Sequence, residues 1–225
     1  MLMKKILSLL LILAMLTVAM VSCKKDEPTE TPVTPDPTVQ ETRYTITAEE
    51  WAAVCALTNF TATQAGSAVY TSGDVTDTEE TFAEYKYTAT VNYRNVQESG
   101  DPTYEEYYAL IDGRILNIRL LGTGEFEADV TDRTELDNFA EAFEFDGVTF
   151  DTLTYNAEAK AYVLDLSDED MEMKYTFYFE NGQIVKFVAY ATYGEHGYSA
   201  VMNIEVAVSN IGTTAVTVPE YTMGK

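Results

Sequence analysis

Residues 171–192 read MEMKYTFYFE-NG-QIVKFVAYAT. In the first arm Met171, Met173, Tyr175, Phe177 and Phe179 alternate onto one face, with Tyr178 on the other. In the second arm Ile184, Val188 and Tyr190 oppose Val185, Phe187 and Ala189. Period-two alternation is the mark of a strand. Asn181-Gly182 between the arms supplies the two positive φ angles of a tight hairpin turn. The stretch is therefore a β-hairpin with apolar residues on both faces, which asks for cover on both sides.

Working outward, the same signal recurs. Asp112-Gly113 separates Tyr107–Ile111 from Arg114–Leu121. Across 85–94, Tyr85, Tyr87, Ala89, Val91 and Tyr93 alternate with Lys86, Thr88, Thr90, Asn92 and Arg94, which predicts one strand with a core face and a wet face. Further strands are expected at 60–71, 149–155, 160–166, 199–209 and 213–218. Adjacent strands on short turns imply an antiparallel meander, not a parallel sheet with crossover helices.

Two segments carry helical spacing instead. Thr47-Ala48-Glu49-Glu50 is a capping box, with Ile46 before it and Trp51 after it placed for a hydrophobic staple. Trp51, Val54 and Cys55 then form an apolar stripe, and Asn59 marks the end. In the second segment Asp132 caps, with Glu135 three residues on. Leu136, Phe139, Ala140 and Phe143 follow at i, i+3, i+4 and i+7. Each helix precedes a run of strands, which hints at a worn duplication.

The N-terminus carries an address. Lys4 and Lys5 precede the apolar run Ile6–Val21, broken only by Ser8 and Thr17. These are the flanks of a secretory signal, predicted over residues 1–22. Met20-Val21-Ser22-Cys23 resembles a bacterial lipobox, in which the Cys thiol receives a diacylglycerol and becomes the mature N-terminus. Cys23 is thus the expected lipidation site. Residues 24–43 hold four of the six prolines and almost no aliphatic side chains. Such a stretch buries too little to order itself, so residues 23–43 are expected to be an acylated tether reaching ~60 Å at about 3.1 Å per residue. The folded domain is expected over 44–225. These features place the protein outside the cytoplasm, anchored to a bacterial membrane through Cys23.

Charge narrows the partners. The whole chain has 14 Lys+Arg against 37 Asp+Glu, a formal charge of −23, and loss of residues 1–22 makes it −25. Nucleic acid needs clustered cations, so it is not an expected partner. One His and two Cys leave Cys55 and His196 as the one thiol–imidazole candidate. Cys55 lies on the apolar stripe of the first helix and reads as a core thiol. His196 falls in the turn 193–197. No phosphate loop or Gly-x-Ser-x-Gly elbow occurs. The acidic runs at Asp168–Glu172 and Asp74–Glu80 lack the order of a calcium loop and read as solvated faces. The expectation is a non-enzymatic domain with no cofactor and no metal. Sixteen Tyr remain to be placed, either as half-buried sheet residues or as a binding face.

The lipobox, the tether, the Trp-bearing helix, the many antiparallel strands and the closing Gly212-Thr213-Thr214-Ala215-Val216-Thr217-Val218-Pro219 together resemble bacterial lipoproteins of the LolA/LprG type. The resemblance covers residues 44–221. It implies an α+β domain: one large, strongly curved antiparallel sheet, a half-barrel, with two short helices on its concave side. It further implies that the space between sheet and helices accepts acyl chains, lined here by Trp51, Val54, Leu136, Phe139 and Phe143. It carries no catalytic residues. The function expected is binding or carriage of an apolar, lipid-like ligand. The alternative is a surface module that binds glycan or protein through exposed Tyr.

Overall fold

A computed structural model describes residues 42–99, 103–169, 171–195 and 198–224. The signal segment, Cys23, nearly all of the tether and His196 lie outside the described residues. Among those described, no helix is long and apolar enough to cross a membrane.

The chain forms one large, open, curved sheet of twelve strands with two short helices. Helix α1 (Ala48–Cys55) leads into a meander of β1 (Phe60–Ser72), β2 (Val75–Tyr87), β3 (Val91–Glu98), β4 (Tyr104–Ile111), β5 (Arg114–Leu120) and β6 (Phe126–Val130). Helix α2 (Phe139–Ala142) and a 3₁₀ turn (Phe150–Thr152) lead into a second meander. It comprises β7 (Thr154–Asn156), β8 (Ala161–Asp165), β9 (Met171–Glu180), β10 (Gln183–Glu195) and β11 (Tyr198–Ser209). β1 and β11 pair antiparallel over twelve residues and join the two meanders in mid-sheet. β12 (Thr222–Met223) adds to β6 in parallel, the one departure from an antiparallel sheet among the described strands.

Local chemistry accounts for the elements that formed as expected. Thr47 accepts from the Glu50 amide and Glu50 accepts from the Thr47 amide at 2.8 Å, which satisfies two orphan donors at the start of α1. Asp112-Gly113 and Asn181-Gly182 both take positive φ and close their hairpins. The second turn is also a clamp. The Arg43 amide donates to Asn181 Oδ1, the Asn181 amide donates to the Arg43 carbonyl, and a side-chain Cβ at Gly182 would strike the Arg43–Glu50 ion pair.

That clamp gives a pH dependence. The Glu50 carboxyl is held down at about 2, first by hydrogen bonding to Arg43 and then by the Thr47 amide. An unfolded Glu titrates at about 4.3. A depressed folded value contributes stability above the unfolded value and loses it as pH falls toward about 2. A titration followed by NMR should place Glu50 near 2, and Arg43→Ala should raise it and flatten the acid side of the stability curve. A Glu50 midpoint already near 4 in the unsubstituted protein would contradict the clamp.

Four expectations need correction. The alternation across 85–94 is not one strand. β2 ends at Tyr87, and Thr88 turns the chain by accepting from the Val91 amide at 2.9 Å. Tyr87 then pairs with Asn92, so Tyr85 and Tyr87 share a face with Asn92 and Arg94, while Val91 and Tyr93 point the other way. In the second helix the N-cap is Asn138, not Asp132, with Glu141 completing the box. Leu136 lies in the preceding loop, whose Asp137 carbonyl accepts from Asn92 Nδ2. Of residues 149–155, Phe150–Thr152 form the 3₁₀ turn and only Thr154 and Tyr155 join a strand, β7. Residues 213–218 join no ladder, because they cross the sheet as a strap, with Thr214 tied to Asn59 and Thr61. One further difference lies in β10. A register shift between Ile184 and Lys186 puts Ile184 on the same face as Phe187 and Ala189.

Two cores result, one on each face. On the inner face, Trp51 and Val54 of α1 and Phe139 and Ala140 of α2 pack on Phe60, Ala62, Tyr87, Phe177, Phe179, Phe187 and Val206. On the outer face, the strap's Val216, Val218 and Tyr221 cover Val91, Tyr93, Tyr107, Ala109, Leu116, Ile118 and Ala128. The strap covers β3–β6 alone, so among the described residues the outer face of the 171–192 hairpin, where cover was expected, belongs to neither core.

Candidate functional site

The space between helices and sheet is occupied by rings. Trp51 is 2% exposed and meets Phe177 edge-on at 5.1 Å, while its Nε1 donates to the Val148 carbonyl at 3.0 Å. Phe139, Phe145 and Phe177 are buried with it, and Phe143 packs at 5.1 Å from Phe187 and 5.4 Å from Tyr85. Trp51, Val54, Phe139 and Phe143 thus share one packed cluster, which Leu136 does not join. Leu136 lines a separate hollow of about 220 Å³ with Thr88, Leu110 and Ile115. A groove of about 540 Å³ runs between α1 and the 145–151 loop, past Cys55, and no strand residue lines it. Cys55 is half-buried there, and burial first, then Asp146, pushes its thiol pKa up, away from a reactive thiolate.

Beyond the helices no helix or strap among the described residues packs on the inner face. The register assembles it in tiers across β1, β11, β10 and β9. Gly66, Ile204, Ala189 and Tyr175 form the tier next to the core. Ala68, Met202, Ala191 and Met173 form the next, and Tyr70, Ala200, Tyr193 and Met171 the last. All are half-buried except the buried Ala189. From Gly66 to Tyr70 the floor runs ~14 Å along the strands and ~14 Å across four of them. Gly66 keeps it flat, since a Cβ there would come within 2.7 Å of Ile204 Cγ1 and 3.2 Å of the Asn203 carbonyl. Small Ala and pliant Met side chains make a shallow apolar trough able to conform to a chain laid on it.

Across β1 the same face turns polar. Glu106 on β4 is 2% exposed. Arg94 Nε and Nη2 both reach its Oε2 at 2.6 Å, and Asn117 Nδ2 donates to its Oε1 at 2.8 Å. Arg94 also lies over the Tyr104 ring at 5.3 Å, and Arg133 over the Tyr108 ring at 4.4 Å. Desolvation first, then Glu106, pushes both Tyr hydroxyls up. Asn92 and Asn117 keep their Oδ1 atoms buried with no protein donor. Among the described residues no three His, Cys, Asp or Glu side chains gather as a metal site.

The trough was not in the sequence reading. Its β9 and β10 residues up to Tyr190 belong to the two-sided hairpin of the sequence and its β1 and β11 residues to plain strands; the signal that could have found it is the recurrence of Ala and Met in 171–173, 189–191 and 200–202. Of the described Tyr residues, Tyr87, Tyr93, Tyr107 and Tyr162 are buried, while Tyr104, Tyr155 and Tyr198 are exposed.

The fold and site together define a curved, almost wholly antiparallel β domain with helices over one end of its inner face. No family model matches the chain, and no curated protein sequence matches it. Among solved structures it is similar to the crystal structure of MucB in complex with MucA(peri). That likeness has 11% identity and a TM-score of 0.13, over 74% of this chain and 95% of that one. A score so low carries no argument about ligand or partner.

Proposed function

We propose that the protein is a non-enzymatic bacterial lipoprotein, held outside the cytoplasm by an acyl anchor on Cys23, whose half-barrel domain takes an apolar, lipid-like ligand on its concave face. The observation that supports the ligand reading is the tiered Ala–Met floor between the ring-filled core and the Tyr tier. The expected ligand space moves accordingly, from between sheet and helices to the part of the same face beyond the helices. An open floor covers one side of an acyl chain. At about half of ~0.8 kcal/mol per CH₂, twelve carbons contribute ~5 kcal/mol. Binding would then be weak and exchangeable, with a Kd of ~0.1 mM or above. That suits a carrier more than a store. The raised thiol pKa of Cys55 supports the non-enzymatic reading.

Native mass spectrometry of the chain released gently from membranes tests both parts. The expected result is a mature chain beginning at Cys23 with added acyl mass, carrying a non-covalent apolar adduct. Ala191→Glu should lose the adduct and keep the acyl mass. A precursor without acyl mass would overturn the anchor. An acylated chain with no adduct would overturn the trough and leave the surface-module reading, with the exposed Tyr104 and Tyr198 as the residues to substitute.

A further inference from the structure

The last tier of the trough differs in chemistry from the two before it. β1 and β10 bring Tyr70 and Tyr193 to it, and Tyr198 of β11 stands on the same face one tier beyond, opposite Ser72. The Tyr70 and Tyr198 rings lie 6.5 Å apart, 28° from parallel, and Tyr193 lies 6.4 Å from Tyr198. Next to this group, on the same face, β2 sets Asp77 opposite Tyr70 and Glu79 opposite Ala68. β3 sets Glu98 opposite Thr81 at the neighbouring position. All three carboxylates belong to exposed residues.

Most other described acids on the strands stand beside a cation, although Glu80, Glu105 and Glu180 do not. Glu84, Glu106, Glu127, Asp129, Glu172 and Glu205 each stand within salt-bridge distance of a Lys or Arg. Among the described residues no Lys or Arg bridges Asp77, Glu79 or Glu98. Their closeness to the ring group is registered by Tyr70. Its hydroxyl is held above its ordinary pKa by desolvation first and then by Glu79, Tyr198 and Glu98. Tyrosine faces carry negative quadrupole charge, and unbridged carboxylates beside them add to it, so the site is complementary to a cation that can shed part of its water. An apolar floor ~14 Å long leads straight into it.

We infer that the distal end of the trough recognises the cationic head of an amphiphile, a quaternary ammonium or alkylamine, whose tail lies on the Ala–Met floor. This inference rests on the trough reading and names the ligand's head. Its geometry is a head against Tyr70 and Tyr198, with Glu79 at the rim and the alkyl chain running back toward Gly66. Anionic amphiphiles meet the same floor but are repelled at the Tyr end.

The test uses the mature chain from residue 23 with Cys23→Ser, so that no attached acyl chain competes. Nile red, a neutral apolar probe, reports occupancy of the floor. Dodecyltrimethylammonium and dodecyl sulfate compete with it, each below its micelle threshold, in 150 mM salt, where charges beyond ~8 Å are screened. The expected result is displacement by the ammonium at about tenfold lower concentration than by the sulfate. Tyr70→Ala and Glu79→Gln should each reduce that preference to below ~3-fold. Tyr70→Phe keeps the ring and should keep the preference, which separates ring recognition from hairpin packing. Glu125→Gln, in the β5–β6 turn, should leave the preference unchanged.

Equal displacement by the two amphiphiles while Nile red binds would overturn the head site and leave the trough standing. The same holds for a preference that survives Tyr70→Ala and Glu79→Gln, or that falls equally in Glu125→Gln. Displacement by a lysine-rich amphipathic peptide and not by the ammonium would assign the site to a protein segment and overturn the proposal. No binding of Nile red or of either amphiphile would overturn the trough itself.

Discussion

Trp51→Ala is expected to lower the unfolding free energy by ~3–5 kcal/mol, the cost of truncating a fully enclosed large aromatic. The residue is the centre of the inner core. It contacts Phe177 and Phe179 edge-on, donates to the Val148 carbonyl, and belongs to a helix whose start is fixed by a complete capping box. Truncation removes the ring contacts, leaves the Val148 carbonyl without its donor, and opens a cavity that the sheet strands cannot close. Urea denaturation of the variant checks it. A loss below ~1 kcal/mol would mean that the core around Trp51 is not filled. Because Trp51 is the sole tryptophan, its emission adds a second reading. It should be blue-shifted and indifferent to amphiphiles that displace Nile red, since the trough begins a tier beyond Phe177. An emission shift on amphiphile addition would return the ligand to the space beside α1.

Local chemistry explains what was legible in the sequence. The capping box at Thr47 and Glu50 and the two X-Gly hairpin turns depend on residues within a few positions of one another, and all three formed as read. Face assignments across 85–94 failed for the opposite reason. Thr88 accepts bonds from its own turn, and three turn residues invert the alternation that a continuous strand would keep. The second helix formed, but its start was displaced from Asp132 to Asn138 by tertiary contacts. The Phe139 amide donates to the Leu57 carbonyl and the Asp137 carbonyl accepts from Asn92, which hold the segment before Asn138 out of helical geometry. The acidic run Asp74–Glu80 is exposed, as a solvated face should be, and also forms part of a thirteen-residue strand with neighbours on both sides, which its composition does not announce. The trough was the least legible feature. It needs β1 beside β11, a pairing between residues about 140 positions apart, before Ala68 and Ala191 share a floor.

The buried carboxylate of Glu106 was equally hidden, since Glu105 and Glu106 are adjacent and alike in sequence. Only Glu106 points to the inner face, where it becomes the sole acidic side chain among the buried residues. Arg94→Met is expected to cost ~3 kcal/mol, because it keeps most of the aliphatic packing against Tyr104 but leaves a desolvated charge served by neutral donors alone, Asn117 and the hydroxyls of Tyr104 and Tyr108. Glu106→Gln should cost less, since an amide keeps the bond from Asn117 and needs no counter-ion. The double variant should be more stable than the sum of the two losses predicts, because removing the carboxylate removes the penalty that Arg94→Met exposes. Denaturation of the four proteins at one pH measures that coupling. Strict additivity, or a loss for Arg94→Met below ~1 kcal/mol, would show that Glu106 is served by water and not by Arg94. The outcome bears on the inner face as a whole. A strong coupling would make the β3–β5 half a rigid polar wall, against which the apolar half could hold its tiers in place.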